Sequence, residues 1–298
     1  MQTGKADRDP PLRLLVIDHA PRDSSATDDL RLAASLAEGA GRVLCELRAQ
    51  VDAGSFRADA AELKAAGDAA AQAYIAATLA DSRPGDAILS EEAADDPQRL
   101  SADRVWIVDP LDGTREFAER LDDGTWRDDF AVHIALWQRG RGVTDAAVGL
   151  PGRDRVLDSD GAADRDATAA QAVLAGQRPL RLAASRTRPP AIVHRLAERA
   201  DVELVPMGST GIKVLAVIDG TVDAYIHAGG QYEWDSAAPV AVAQAVGLIA
   251  TRLDGSPLVY NQADPWCPDL VICDPALLPY LRTMLSEAGL DDEPGVRA

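Results

Sequence analysis

Cysteine, lysine and long apolar runs are all scarce in this sequence. The three cysteines, Cys45, Cys267 and Cys273, are too few and too widely spaced for a disulfide framework or a zinc ribbon. That fits a reducing compartment, and a cytoplasmic location is expected. No apolar run approaches the roughly 18 to 20 residues that a membrane helix needs. The start, MQTGKADRDPPLRLLVIDH, also lacks the apolar core of a signal peptide. No membrane partner is expected.

Positive charge is short as well: 30 Lys and Arg face 48 Asp and Glu, for a formal net charge of −18. Nucleic-acid affinity comes largely from cations neutralising phosphates, so the balance argues against a broad duplex-binding face, and a polyanionic partner would need local cations. Lysine is confined to Lys5, Lys64 and Lys213. An Arg-heavy, Ala-rich composition of this kind points to biased codon usage, which makes each retained lysine worth following.

Several motifs are missing too. There is no EF-hand loop, no P-loop and no repeat at a fixed period, and the spacing of three between Asp109 and Asp112 is not the Asp-x-Asp that aspartyl-phosphate hydrolases need. His19, His133, His194 and His227 show no metal-ligand spacing, and His133 and His227 fall in strand-like stretches.

What is present suits a globular protein: 298 residues with 47% hydrophobic content are ample for a core. Residues 1–26 mix Pro, Arg, Asp and Ser and read as a loosely held tail. Helical spacing of Leu30, Ala33, Ala37, Leu44 and Leu47 predicts a first helix from Thr27 or Asp28. AAAQAYIAATLA predicts a second, starting near Gly67 and Asp68. AILS, RVWIVD, FAVHIALW, DAAVGLP and the stretch from Arg155 to Leu157 predict a sheet-rich half. After the small and polar segment at 160–178, strands and helices alternate: LRLAAS, AIVHRLAERA, VELVPM, Thr210 to Ile218, VDAYIH, SAAPVAVAQAVG, LIATRL. Such alternation predicts a mainly parallel sheet covered on both faces. The chain therefore divides into the tail, an α+β unit over 27–170 and an α/β unit over 171–298.

WIVDPLDGT carries the chemistry. Asp109 and Asp112 flank a Pro in a tight turn, and two carboxylates held that close repel unless a proton or cation lies between them. Leu111 can aim its carbonyl at the same point, and hard divalent cations favour such oxygens. A solvated Asp-Pro, Asp-Gly turn remains open on these residues alone. Glu91, ending ILSEE, and Asp235, at a helix start in YEWDSAAPVAVAQAVG, would complete four acidic ligands. Taken singly, Glu91 reads as an exposed loop acid and Asp235 as an N-cap.

The ordered set LSEE, WIVDPLDGT and EWDSAAPVAVAQAVG resembles the motifs of the inositol monophosphatase superfamily, the lithium-sensitive, Mg²⁺-dependent phosphatases, over about residues 27 to 290. The resemblance implies a layered α/β/α/β/α sandwich and two or three Mg²⁺ ions, with Li⁺ as inhibitor. It implies that Glu91, Asp109 and the Leu111 carbonyl hold one ion, and Asp109, Asp112 and Asp235 a second. Gly67-Asp68-Ala-Ala-Ala-Gln72 is similar to a run in the branch acting on 3′-phosphoadenosine 5′-phosphate. By that likeness Asp68 and Thr114, with Glu91, would orient and deprotonate the attacking water. The Pro-Val-Thr stretch usual before this Asp is replaced by ELKAAGD, so Lys64 gains no role from the likeness.

Substrate contacts follow in the same way. Gly208 and Ser209 in PMGSTGIK open a helix whose N–H groups suit an anion, with helix capping by Ser209 or Thr210 as the alternative. The resemblance adds Gly113, Thr114, Lys213 and Asp235, and likens Ser185-Arg186 to a Ser-Arg-Ser-His segment. Arg186 and Arg188 are then candidate phosphate clamps, or else surface arginines. LDDGTWRDD is a solvated loop or a lid carrying Trp126. The expected substrate is a small phosphorylated molecule, 3′-phosphoadenosine 5′-phosphate, with inositol phosphate or fructose bisphosphate as alternatives on the same scaffold. A noncatalytic divalent-cation binder is the alternative of another class. A homodimer is compatible with the resemblance.

Overall fold

The computed structural model describes residues 28–161, 168–187 and 189–289. The tail, Thr27 and Arg188 lie outside them. Two helices come first, α1 (Asp28–Asp52) and α2 (Ala60–Ser82). The first turn of α2 is closed by a reciprocal cap: Ala61 and Glu62 N–H donate to Asp59, and Glu62 accepts from the Asp59 N–H. The helix thus begins well before Gly67 and Asp68, correcting the sequence-based start. Gly67 serves packing instead. A Cβ there would lie 2.6 Å from Phe117 and 3.0 Å from Leu111. Its absence lets α2 press against the segment carrying the acidic motif.

The first sheet has the order β1-β2-β3-β4-β5, formed by Ala87–Ser90, Arg104–Asp112, Ala131–Gln138, Gly142–Leu150 and Arg155–Asp158. β1 runs parallel to β2, and the other neighbours are antiparallel. The short helix α3 (Thr114–Phe117) follows β2 directly.

The second half contributes α4 (Ala169–Leu174), β6 (Leu180–Ser185), α5 (Ala191–Ala197), β7 (Val202–Met207), α6 (Thr210–Ile218), β8 (Ala224–Tyr232), α7 (Glu233–Ala245), β9 (Ile249–Thr251), β10 (Trp266–Cys273) and α8 (Leu278–Glu287). Its sheet order is β7-β6-β8-β10-β9. β6 is parallel to β7 and β8, but β10 is antiparallel to both β8 and β9. The sheet is therefore mixed rather than mainly parallel. The cause is β10, which Pro, Asp and Cys in WCPDLVIC obscure in the sequence, and which follows β9 through a loop with no helix and so runs antiparallel to both its neighbours.

Five layers result: α1 and α2, the first sheet, α6 and α7, the second sheet, then α5 and α8. One apolar cluster joins Leu89, Val105 and Ile107 of the first sheet through Leu215 and Val242 to Leu270 and Ile272 of the second. Both sheets thus bury their inner faces on the same pair of helices. Among the described residues no helix is long and apolar enough to cross a membrane.

Candidate metal and active site

The acidic motif owes its geometry to a β-bulge. Asp109 pairs with His133 and Asp112 with Ala131, so three steps along β2 oppose two along β3. Side chains alternate along a regular strand, and a spacing of three would put these two acids on opposite faces. The extra residue turns both toward one point, and Pro110 is tolerated because the ladder is already broken there. Gly113 then takes φ +86° and lets the chain enter α3.

Asp109 is 1% exposed. One carboxylate oxygen accepts the Leu111 N–H at 3.0 Å. The other is buried with no hydrogen-bond partner among the described residues. Burial first, and then the charges of Glu91, Asp112 and Asp235, hold its pKa well above the ordinary aspartate value. Glu91 is pushed up to about 7 by desolvation and then by Asp112, with its carboxyl beside that of Asp109. Asp235 is pushed up to about 7 by burial and then by Asp112. It accepts the Tyr232 N–H at 2.6 Å from the third position of α7, so it is not the cap residue itself. The charge of Asp112 thus raises all three of the other acids expected from the sequence, which brings the four into one group. The orphaned oxygen of Asp109 among three further carboxyl groups is what a divalent cation would satisfy.

Asp112 is held differently. Its Oδ2 accepts from the Ser209 hydroxyl at 2.7 Å, from the Thr210 N–H and from the Gly211 N–H at 3.4 Å. The N-terminus of α6, a candidate anion site in the sequence, is thus taken up by a carboxylate of the protein. Lys213, one turn into α6 and 6% exposed, donates to the Ser209 carbonyl at 3.1 Å and lies over the Tyr225 ring. Burial lowers its pKa while Asp112, Glu116 and Asp235 counter the loss. It is a buried counter-charge beneath the acids.

On the α2 side, Asp68 faces Thr114. Desolvation and the nearby Glu92 raise the Asp68 carboxyl to about 6, against a hydrogen bond with Thr114 that lowers it. The Thr114 hydroxyl also lies 3.1 Å from the Leu111 carbonyl. One hydroxyl proton therefore has two acceptors, one on each side of the turn. Ser90, next to Glu91, donates to Gln72 of α2 at 2.8 Å, which ties the end of β1 to the same helix. Lys64 lies one turn before Asp68 and draws its pKa down slightly.

With this geometry in view, the comparisons are direct. The profile of the inositol monophosphatase family matches residues 27–286. The chain belongs to the inositol monophosphatase family. A Mycobacterium leprae relative named 3′-phosphoadenosine 5′-phosphate phosphatase is 49% identical over 281 residues, spanning 90% of this chain and 98% of the relative. An Escherichia coli K12 relative named 3′(2′),5′-bisphosphate nucleotidase CysQ is 30% identical over 203 residues, 66% of this chain and 78% of its own. Among solved structures, CysQ from Bacteroides thetaiotaomicron superposes with a TM-score of 0.67 at 24% identity, covering 85% of this chain and 99% of that one. Inositol monophosphatase II from Staphylococcus aureus reaches 0.69 at 20% identity, covering 88% and 94%. The family is metal-dependent, and the acidic cluster is of the kind that binds metal.

Ser185 ends β6 opposite Met207, just before Gly208. Gly208 donates its N–H to Asp129 at 2.8 Å. Arg186 reaches Glu116 of α3 at 2.8 Å and also pairs with Glu119. It is already engaged by two carboxylates, and its buried Nε has no hydrogen-bond partner among the described residues. Trp126 is no free lid: Arg48 and Arg120 stack on its ring, and its indole N–H donates to Asp52 at 3.0 Å.

Two residues escaped the sequence reading. His133 is fully buried, with Nε2 3.4 Å from Asp112 and Nδ1 3.9 Å from Asp109. Burial lowers its pKa, which favours the neutral ring. Pairing FAVHIALW against WIVD as a hairpin would have placed it opposite Asp109. Asp129 is buried, and although burial raises its pKa, bonds from Arg127 and the Gly208 N–H bring it below the ordinary value. No spacing in the sequence pointed to it.

Proposed function

We propose that this chain is a Mg²⁺-dependent phosphomonoesterase that converts 3′-phosphoadenosine 5′-phosphate to AMP and phosphate. The observation that carries the catalytic part is the unpartnered, buried Asp109 oxygen amid three further carboxyl groups. The substrate is supported by the M. leprae relative, whose name states it and 98% of whose length this chain matches.

In this proposal Glu91, Asp109, Asp112, Asp235 and the Leu111 carbonyl would hold two or three Mg²⁺. The bound cations would offset the carboxylates, draw charge from the phosphoryl group and acidify water. Asp68 and Thr114 supply the proton path. The Thr114 hydroxyl orients the nucleophilic water, and Asp68, at about 6, is basic enough to accept its proton yet close enough to neutrality to release it. Gly113, Ser185, Gly208 and Ser209 line the approach to the acids, and Arg186 meets a phosphate by exchanging one of its carboxylate partners. Li⁺ inhibition and a cytoplasmic site of action belong to the same proposal.

The test is a phosphate-release panel with 3′-phosphoadenosine 5′-phosphate, inositol phosphate and fructose bisphosphate, with and without Mg²⁺, in ¹⁸O water. The bisphosphonucleotide should turn over fastest, only with Mg²⁺, and the released phosphate should carry one solvent oxygen. A trapped acyl phosphate, or a preference for either sugar phosphate, would overturn the reading.

A further inference from the structure

An aromatic corner stands beside the acidic cluster. Aromatics are 4% of the chain, yet Tyr232, Trp234 and Trp266 meet at one place. Tyr232 stacks on Trp234 with centroids 4.7 Å apart and planes 13° apart. Trp266 stands edge-on to Tyr232 at 5.4 Å and 82°. Tyr232 is the cross-strand partner of Trp266 at the joined ends of β8 and β10, so backbone pairing fixes the two rings.

Burial would be the ordinary use of such residues, but here the rings stay open. Tyr232 is 42% and Trp266 46% exposed, while Trp234 packs on the core beneath. The acidic centre is adjacent, because the Tyr232 N–H is the donor to Asp235. Aromatic rings left partly open in this way are costly in water unless a flat apolar group comes to cover what remains exposed.

We propose that Tyr232 and Trp266 form a stacking platform for the nucleobase, which distinguishes bisphosphonucleotides from phosphates that carry no base. This rests on the phosphatase reading above and gives that site its selectivity. Stacking is tolerant of base identity because every base has a π-face, and the wider purine covers more of the platform. Nothing in the platform touches the scissile phosphate, so its effect falls on binding rather than on the chemical step.

Two measurements test it on the Mg²⁺-loaded protein. The first compares kcat and KM for 3′-phosphoadenosine 5′-phosphate and for ribose 3,5-bisphosphate, which lacks the base. Trp266→Ala and Tyr232→Ala should each raise KM for the nucleotide about five- to a hundredfold and leave the ribose bisphosphate unchanged. Tyr232→Phe should restore the parent values, because the ring and not the hydroxyl is required. The second follows tryptophan fluorescence during titration with AMP and with ribose 5-phosphate. AMP should quench the parent protein at lower concentration than ribose 5-phosphate does, and Trp266→Phe should weaken the quench. Equal loss on both bisphosphates, or equal binding of AMP and ribose 5-phosphate, overturns the platform. A parent protein that hydrolyses neither bisphosphate but still binds AMP selectively through Trp266 retains the platform and loses the phosphatase reading.

Discussion

At the scale of single residues, the acids of the bulge differ in what surrounds them. Asp112 accepts from three donors at the start of α6, whereas Asp109 keeps one oxygen with no hydrogen-bond partner among the described residues. Asp109→Asn removes the charge at the centre of the cluster, and a fall in kcat/KM of about 10³-fold or more is expected in phosphate-release assays. Asp68→Asn should lower kcat by about 10²- to 10⁴-fold, the usual range for a lost proton acceptor, while calorimetry finds Mg²⁺ affinity near the parent value. A comparable loss of Mg²⁺ affinity would instead make Asp68 part of the cation site. Most of these residues were legible because they sit in short motifs whose spacing is itself the signal. His133 was not, since its closeness to Asp109 depends on which strand β2 pairs with, and that is a non-local choice.

At the scale of elements, the bulge in β2, the close packing of α2 at Gly67 and the junction from β8 to α7 each position a functional group, whereas the cap of α2 serves stability. Replacing Asp59 by Ala removes the side-chain half of the cap, with an expected cost of about 1 kcal/mol in denaturant unfolding. Asp68 is carried by the same helix, two turns on, but packing of Gly67 against Phe117 holds it there. Turnover should therefore change little. The start of α2 was misread because Gly and Asp resemble a helix boundary. In the fold they are interior residues chosen for a close approach and for chemistry. β10 was missed for a related reason: its alternation is blurred by Pro268 and by the buried Asp269, which Arg252 pairs at 2.7 Å. Burial with a partner cannot be seen along one strand.

For the whole molecule, β2 and the turn after β1 supply Asp109, Asp112 and Glu91, and the second half supplies Asp235 and the α6 turn. Because one apolar cluster runs through both sheets, we expect a single cooperative unfolding transition. Far-ultraviolet dichroism and tryptophan fluorescence should trace the same curve, and two separated transitions would mean two independent units. Charge adds a pH dependence to the cation-free protein. Glu91 rises from 4.5 and Asp235 from 3.8, each to about 7, so the folded state binds protons more tightly than the unfolded chain. Their contribution to stability is complete below about pH 4 and is lost as pH climbs through about 7. Mg²⁺ should thus raise Tm much more at pH 7.5 than at pH 5, where protons already occupy the cluster; an equal rise at both would place Mg²⁺ elsewhere.

The sequence by itself determined the alternation of helices and strands, the four acidic residues and the family motifs that hold them, because these are local patterns of side-chain type and spacing. The tertiary structure decided what those patterns could not. It set the bulge that aligns Asp109 with Asp112, the entry of His133 and Asp129 around the site, the occupation of the α6 N-terminus by Asp112 and the open corner of Tyr232 and Trp266. Each of these depends on pairing between segments far apart in the chain, where burial and register, rather than residue order, fix which groups meet.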